Sequence, residues 1–479
     1  MSKMIRREVF SAILNCPGGP LLKYIGCFLL LFLFNSAFAY SPYSNKELEE
    51  LEKEFIEQIN SSNSIIRHPL ANQYINHLAK ILAIHGQVQQ PYFFIVKSNE
   101  INAFAGPGGY IGVNSQLILA TENESELAAV MAHEMAHVRQ HHLYRMIEHQ
   151  KQMRIPMLAS LMAAMALGII NPGMGTGAMM AALSGFAQDN INFVRSSEKE
   201  ADRIGIDMLI KSGQDPRGMA GFFKKMQQNA RYYYTATMPA ILRTHPLDED
   251  RIAEAESRSE RLAQKNYPDS LDYRLFKELV RVSVAENSKQ LLDEYQRVCS
   301  NPQSGPACQY GYALALLDSN QFQLANEHLT PLVLQNPSNL DYQVAIAESE
   351  TGLKKHEKAV SRLKELHANR PENYAAIMAL SQSLLAAGKP EEAARFLLTG
   401  SRQFKHDLPL CQQLAEAQAA SHHKDYAYFI EAQCQLLQGQ RKIALRQLTL
   451  AKQLAKKNKF LAARIDAKID EIKQMITEE

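Results

Sequence analysis

His133-Glu134-Met135-Ala136-His137 sets two imidazoles and a carboxylate at the spacing that metal-assisted hydrolysis needs. Positions i and i+4 share one face of an α-helix, so His133 and His137 can both reach one metal ion. Glu134 is one residue round the helix, off the ligand line yet close enough to hold a water and act as its general base. A helix with two partly buried histidines and a solvated glutamate would read the same way over five residues. The rest of the sequence decides between the two.

A catalytic zinc needs a third protein ligand and an open position for water. The extended pattern His-Glu-x-x-His-x-x-Gly-x-x-His fails, because Gln140 stands at its glycine and Leu143 at its last histidine. His141 and His142, a turn further on, read as exposed or as neighbours of the ligands rather than as ligands. A second helix offers a glutamate instead: in Ser196-Ser197-Glu198-Lys199-Glu200-Ala201-Asp202, Glu198 and Asp202 share a face. Glu198 can ligate while Asp202 accepts the N–H of a ligand histidine and fixes its tautomer. Glu200 points elsewhere and reads as structural. Ser197 and Glu200 have capping-box spacing, as do Thr121 and Glu124 ahead of the histidine motif.

Several elements must position these groups. Residues 45–85 read as helical and Tyr92–Val96 as a short strand. Asn102-Ala103-Phe104-Ala105 and Tyr110-Ile111-Gly112-Val113 flank a Gly/Pro turn and read as a β-hairpin. Such a hairpin is either an ordinary one or an edge that pairs an extended substrate through its main chain. Residues 157–187 carry no charge and break at 171–177. Each half is shorter than the roughly 20 residues of a membrane-spanning helix. This segment either completes the core or forms an apolar hairpin or loop that covers the site or touches a membrane surface.

At the N-terminus, Arg6, Arg7 and Lys23 precede the apolar run 25–34, and Ala37-Phe38-Ala39 supplies a small-x-small site. Residues 1–39 therefore read as a secretory signal. The full 479 residues suit two or three domains, and a net charge of +2 gives no polybasic footprint for nucleic acid. Cys299, Cys308, Cys411 and Cys434 would remain in an oxidising compartment after export. Residues 421–424 look like a helix-hairpin turn midway between Cys411 and Cys434, and the breakers at 301–306 are centred on Cys299 and Cys308. Equidistance from a turn predicts bridges Cys299–Cys308 and Cys411–Cys434, each stabilising by about 3 kcal/mol. The alternative is four buried thiols.

The C-terminal half repeats. Ala325, Ala359, Ala393 and Ala427 lie 34 residues apart, as do Pro337 and Pro371, and Ala313, Ala347 and Ser381 recur earlier in each unit. A small residue where two helices approach and a breaker between units is the tetratricopeptide pattern, which stacks into a solenoid with a concave face for partners. Residues 270–304 read as an earlier degenerate unit, and the helices after Gly439 as a cap.

Taken together, Asn102–Ala105, the His133–His137 motif, Arg195, Glu198–Asp202, Thr244-His245-Pro246 with Arg251, and the repeats resemble the zinc peptidases that include the HtpX membrane protease and the CAAX prenyl protease. The resemblance runs from about residue 45 to the C-terminus and is closest to the periplasmic branch that carries tetratricopeptide repeats. It implies an α+β, mostly helical chain: a gluzincin-like protease domain with a small sheet over residues 40–265, then an all-α solenoid over 270–479. It implies one Zn2+ per chain on His133, His137 and Glu198, with Glu134 as base and Asp202 behind a ligand. It also implies that His245 can take the water position and hold the enzyme inactive, and that His245 or Arg251 can stabilise the transition state. By resemblance the protein is a periplasmic endopeptidase of a Gram-negative bacterium. It would assist or degrade outer-membrane β-barrel proteins at their assembly machinery through the repeats. Two rival readings are a repeat-based chaperone or adaptor with a silent protease, and a constitutive general protease.

Overall fold

The computed structural model describes residues 45–149, 188–232, 239–260, 270–299 and 304–478, with isolated positions at 163, 164, 167, 174, 178, 267, 268 and 301. The signal at 1–39 and almost all of the apolar segment 157–187 lie outside the described residues. No described helix is long and apolar enough to cross a membrane.

The stretch expected to be helical from 45 to 85 holds two helices, α1 (Asn45–Ser61) and α2 (Pro69–Gly86), with β1 (Ile65–Ile66) between them. Pro69 opens α2 where no N–H is needed, and Gln87 closes it in the left-handed conformation. β2 (Tyr92–Val96), β3 (Ala103–Ala105) and β4 (Tyr110–Asn114) complete a four-stranded sheet of order β1-β2-β4-β3. β3 and β4 form the expected antiparallel hairpin, Phe104 opposite Gly112, and β3 is an edge strand. A Cβ at Gly112 would lie 2.5 Å from the Phe104 ring, so only glycine lets that ring lie across the strand. In the turn between them, Gly108 takes φ +69°.

α3 (Ser115–Ala120) leads to the motif helix, α4 (Glu124–Arg139). Its cap is not Thr121. Asn123 accepts the Glu126 N–H at 3.0 Å, while Thr121 follows the end of α3 and donates its hydroxyl to the Ile118 carbonyl. Thr121 and Asn123 are each followed three residues later by glutamate, so spacing could not choose between them. Next come α5 (His142–His149), α6 (Gln188–Ser212), α7 (Arg217–Tyr232), α8 (Ala240–Thr244) and α9 (Glu249–Glu260). α6 runs unbroken through Ser197 and Glu200, so that pair is not a cap either; its side-chain pattern mimics one inside a helix. α6 and α7 pack on α4 and bury it from Glu126 to Ala136. The α4–α6 crossing is tight at Gly205, where a Cβ would lie 3.3 Å from the His133 nitrogen and 3.4 Å from the Ala132 carbonyl carbon.

The remaining helices are α10 (Leu271–Val284), α11 (Ser288–Cys299), α12 (Pro306–Asp318), α13 (Phe322–Gln335), α14 (Leu340–Gly352) and α15 (His356–Asn369). After them come α16 (Tyr374–Ala386), α17 (Pro390–Gln403), α18 (Leu408–Ala420), α19 (Lys424–Leu437), α20 (Arg441–Leu454) and α21 (Lys459–Glu478). From α12 onward each packs on its predecessor as helical hairpins do. The repeating small residues do what their spacing requires: Ala313, Ala325, Ala347, Ala359, Ser381 and Ala393 are fully buried. The structure brings both cysteine pairs to disulfide distance, with Cα–Cα separations of 5.5 Å for Cys299 and Cys308 and 5.7 Å for Cys411 and Cys434.

The two halves share one packed unit, Leu48–Glu479. Phe276 stacks on Tyr74 at 4.3 Å, and the Tyr273 hydroxyl donates to the Thr121 carbonyl at 2.9 Å. Further along the array Gln73 accepts the Tyr374 N–H at 3.1 Å, and Arg441 pairs with Glu57 at 3.2 Å. The solenoid therefore touches the N-terminal half near both of its ends. Gly205→Val would wedge α6 away from α4, with an expected cost of about 1–3 kcal/mol. Urea denaturation of this variant should have an earlier midpoint than wild type, and an unchanged curve would refute the close-approach role.

Candidate metal centre

The site is built from two helices and a loop. α4 supplies His133, Glu134 and His137; α6 supplies Glu198 and Asp202; His245 follows α8, and Arg251 comes from α9. One nitrogen or oxygen from each of His133, His137, Glu198 and His245 falls within 4.8 Å of all the others. His133 Nε2 lies 2.9 Å from His137 Nε2, 3.3 Å from Glu198 Oε2 and 3.4 Å from His245 Nδ1. Glu198 Oε1 lies 3.4 Å from His137 Nε2 and 3.0 Å from His245 Nδ1. Tetrahedral zinc with bonds of 2.0–2.1 Å has ligand–ligand edges of about 3.3 Å. Three imidazoles and a carboxylate at this spacing fit such an ion.

Desolvation and charge agree with that fit. Glu134, Glu198 and Asp202 are 1%, 3% and 5% exposed. Burial pushes Glu198 up, but the charges of His245 and His137 and hydrogen bonds to His133 and His137 outweigh it and hold the carboxyl well below its usual range. Burial likewise pushes Asp202 up, and its hydrogen bonds to His133 and Arg251 bring it below the ordinary value. For His133, burial pulls down, while hydrogen bonds to Asp202 and Glu198 push the imidazole up to about 10. His245 is raised in the same way by Glu198 and Glu134 against its burial. The pocket favours a cation.

Each motif histidine has its own orienting chain. His133 Nδ1 is 2.9 Å from Asp202 Oδ1. Arg251 grips Asp202 with both arms of a fork, Nε at 2.7 Å and Nη2 at 2.8 Å, while its Nη1 donates to the Pro246 carbonyl at 2.7 Å and lies 2.9 Å from Glu198 Oε2. Arg251 thus spends its donors on Asp202 and the Pro246 carbonyl and sets its charge beside Glu198, with the Phe223 ring 5.0 Å beneath it. His137 Nδ1 is 2.9 Å from His142 Nδ1, and His142 Nε2 is 3.1 Å from Glu200 Oε2, which Arg145 also reaches at 3.2 Å. With His137 Nε2 turned to the cluster, its Nδ1 carries the proton and donates to His142, whose own proton then sits on Nε2 facing Glu200.

His142 is the functional residue that sequence reasoning placed least well. It lies behind His137 because His141 takes φ +52° and folds the start of α5 back under α4. Glu200, read as structural, is the far end of that chain. His141 is exposed.

Among the described residues Glu134 Oε1 has no hydrogen-bond partner, with His245 Nε2 3.4 Å away but out of line, and Glu198 Oε2 and His133 Nδ1 in the same cluster also lack one of good geometry. Beside it opens a small apolar cavity of about 30 Å³ lined by Val130, Met219, Phe222, Met226, Ile241 and Leu247 among others. α8, which leads into His245, is tied to the segment ahead of the edge strand: the Ile241 N–H donates to the Ile101 carbonyl at 3.0 Å, Arg243 pairs with Glu100 at 3.5 Å, and the Thr244 hydroxyl, 3.2 Å from the Ile241 carbonyl, also faces Asn102 Oδ1 at 3.4 Å.

A buried His-Glu-x-x-His helix facing a glutamate-bearing helix is the layout of a metallopeptidase, and residues 69–259 match peptidase family M48. Residues 351–419 match the tetratricopeptide repeat. The chain belongs to the M48 peptidases that carry such repeats, and it is a metalloendopeptidase. Among its relatives is the "Beta-barrel assembly-enhancing protease" of Escherichia coli (strain K12), 34% identical over 429 residues, or 88% of this chain and 87% of that one. A Vibrio cholerae protein called "Putative beta-barrel assembly-enhancing protease" is 34% identical over 423 residues, 87% of each chain. "Metalloendopeptidase OMA1, mitochondrial" of Danio rerio is 27% identical over 283 residues, 53% of this chain and 57% of its own.

Burial and the neighbouring His137 bring His142 down to about 4. A folded-state value lowered in this way leaves the ring neutral throughout the physiological range, as an acceptor for His137 must be. Nitrogen-edited NMR should find this ring uncharged until about pH 4, and a titration near 6.5 would break the chain drawn here.

Proposed function

We propose that the protein is a periplasmic zinc endopeptidase of the outer-membrane assembly pathway, with residues 1–39 as an export signal, 40–265 as the protease and 270–479 as the client-holding solenoid. The observation that carries the reading is the close spacing of His133, His137, Glu198 and His245, with Glu134 beside them and its Oε1 free of hydrogen bonds among the described residues. His133, His137 and Glu198 would hold one zinc ion, with Asp202 and His142 setting the two imidazole tautomers. Bound zinc supplies Lewis acidity toward the scissile carbonyl and lowers the pKa of water toward about 7. Glu134 takes the proton of the attacking water and returns it to the leaving amine. A hydrophobic substrate side chain suits the apolar cavity next to Glu134.

An extended client adds to the sheet at β3, where Asn102, Ala103, Phe104 and Ala105 offer main-chain groups. The kinship with proteins named for β-barrel assembly supports clients that are outer-membrane β-barrels and a site of action at their assembly machinery. The paired cysteines support an oxidising compartment, with Cys299–Cys308 and Cys411–Cys434 bridged. Peripheral membrane contact by residues 157–187 is part of the same proposal.

Glu134→Gln keeps the shape of the site and removes the base. It should retain zinc by elemental analysis while peptide cleavage falls by about 10²–10⁴-fold. Unchanged cleavage by this variant would falsify the mechanism.

The position of His245 favours a second statement about the same site, that it rests closed. His245 takes the fourth vertex and would displace water, so His245→Ala should raise cleavage of an unstructured peptide. A constitutive protease predicts no increase. A chaperone with a silent centre predicts that Glu134→Gln fully replaces the wild-type protein in cells while deletion of 270–479 does not.

A further inference from the structure

The last helical hairpin contributes no residue to the metal centre, and it concentrates charge. Between Arg441 and Lys468 stand nine Lys or Arg and a single acid, Asp466, in a chain whose net charge is only +2, so the remainder is net negative. α20 and α21 join through the 3-10 turn Ala455–Lys457. Their inner faces, with Ala444, Leu448, Ala451, Leu461 and Ile465, are buried against each other and Phe429. On the outer face of α20, Lys442, Arg446, Leu450 and Leu454 form an exposed i, i+4 stripe.

The apolar members of this surface are conspicuous for a solvated face. Leu450 is 41%, Leu454 50% and Phe460 72% exposed. Lys456, Lys457 and Lys459 surround Phe460 and are exposed. Lys452 pairs with Asp466 at 2.6 Å, and Arg464 lies 4.9 Å over Phe429 and 6.0 Å over Phe460. Lys442, Arg446, Lys456, Lys457 and Lys459 form no ion pair among the described residues.

We propose that the tip of this hairpin is a docking surface for an anionic phospholipid bilayer. Unpaired cations around protruding Leu and Phe match a membrane interface, where phosphates meet the ammonium groups and the acyl boundary takes the apolar tips. Long lysine stems can lie along the apolar layer while their heads stay with the phosphates. An acidic polymer would meet the charges and gain nothing from Leu454 or Phe460. The net negative remainder of the chain is repelled by the same membrane, which orients the protein tip first.

Each basic residue at an anionic surface strengthens binding by about five-fold. The full chain should co-sediment with vesicles of phosphatidylglycerol and phosphatidylcholine, and not with phosphatidylcholine alone. Combining Lys456→Glu, Lys457→Glu and Lys459→Glu should weaken that binding by about 100-fold. Phe460→Ser should weaken it at high salt, where the charges are screened. Peptide turnover by both variants should stay at the wild-type rate, since none of these residues belongs to the site. No binding of the wild-type chain to the anionic vesicles overturns the proposal, and so does equal binding by the triple variant. Capture by polyglutamate without vesicle binding assigns the surface to acidic protein and overturns it as well.

Discussion

Three carboxylates almost wholly removed from water within one small volume are the constraint to which the peptidase half is built. Glu134, Glu198 and Asp202 cannot share that space as free anions, because burying an unpaired charge costs several kcal/mol. Arg251 answers for two of them: its fork holds Asp202, and the same guanidinium lies 2.9 Å from Glu198. That leaves Glu134 Oε1 without a hydrogen bond among the described residues and the imidazoles facing a negative field. The geometry of α9, the loop at 245–248 and the α4–α6 crossing all follow from bringing this one arginine to this one pair of acids. Gly205 is part of the same requirement, since α6 must come close to the backbone of α4 for Asp202 to meet His133.

The two motif histidines are supported unequally. His133 leans on a carboxylate that is itself clamped by Arg251, and its imidazole is correspondingly basic. His137 leans on a neutral imidazole, which fixes its tautomer while adding little negative charge. A donor pair of this kind tunes a cation differently from two carboxylate-backed histidines, because ligand basicity follows the charge behind the ring. It also makes α5 part of the site, since His142 begins that helix and His141 supplies the left-handed turn that aims it.

How much of this could be read from the chain varies with the range of the interaction. His133 with His137, and Glu198 with Asp202, are legible because a helix repeats every three or four residues and each pair lies within one turn. The alanines at 34-residue spacing are legible for a similar reason, and equidistance from a turn located both cysteine pairs. Helix starts were not legible. Thr121 and Asn123 carry the same capping signal, and the Ser197–Glu200 pattern occurs in the middle of α6, where tertiary packing overrides a local preference. His142 was placed loosely because its role turns on one φ angle at His141. The basic tip at 456–460 was hidden by averaging, since the acidic remainder cancels it in the whole-chain charge.

The loop that carries His245 is held by two kinds of contact, and the difference has a mechanical consequence. On its carboxyl side Arg251 donates to the Pro246 carbonyl with the same guanidinium that grips Asp202, a charge-assisted set. On its amino side the links run from α8 to residues 100–102 ahead of the edge strand: the Ile241 N–H to the Ile101 carbonyl at 3.0 Å, Thr244 facing Asn102 at 3.4 Å, and a partly exposed Arg243–Glu100 ion pair at 3.5 Å, which solvent screens to little. A neutral hydrogen bond contributes about 0.5–1.5 kcal/mol, and charged ones about twice that. Any displacement of His245 that leaves the acid–arginine frame intact must therefore break the contacts on the strand side. The weak end of the loop lies against Ile101 and Asn102, at the entry to the strand whose outer edge is unpaired within the sheet, so strand β3 and the His245 imidazole are mechanically adjacent.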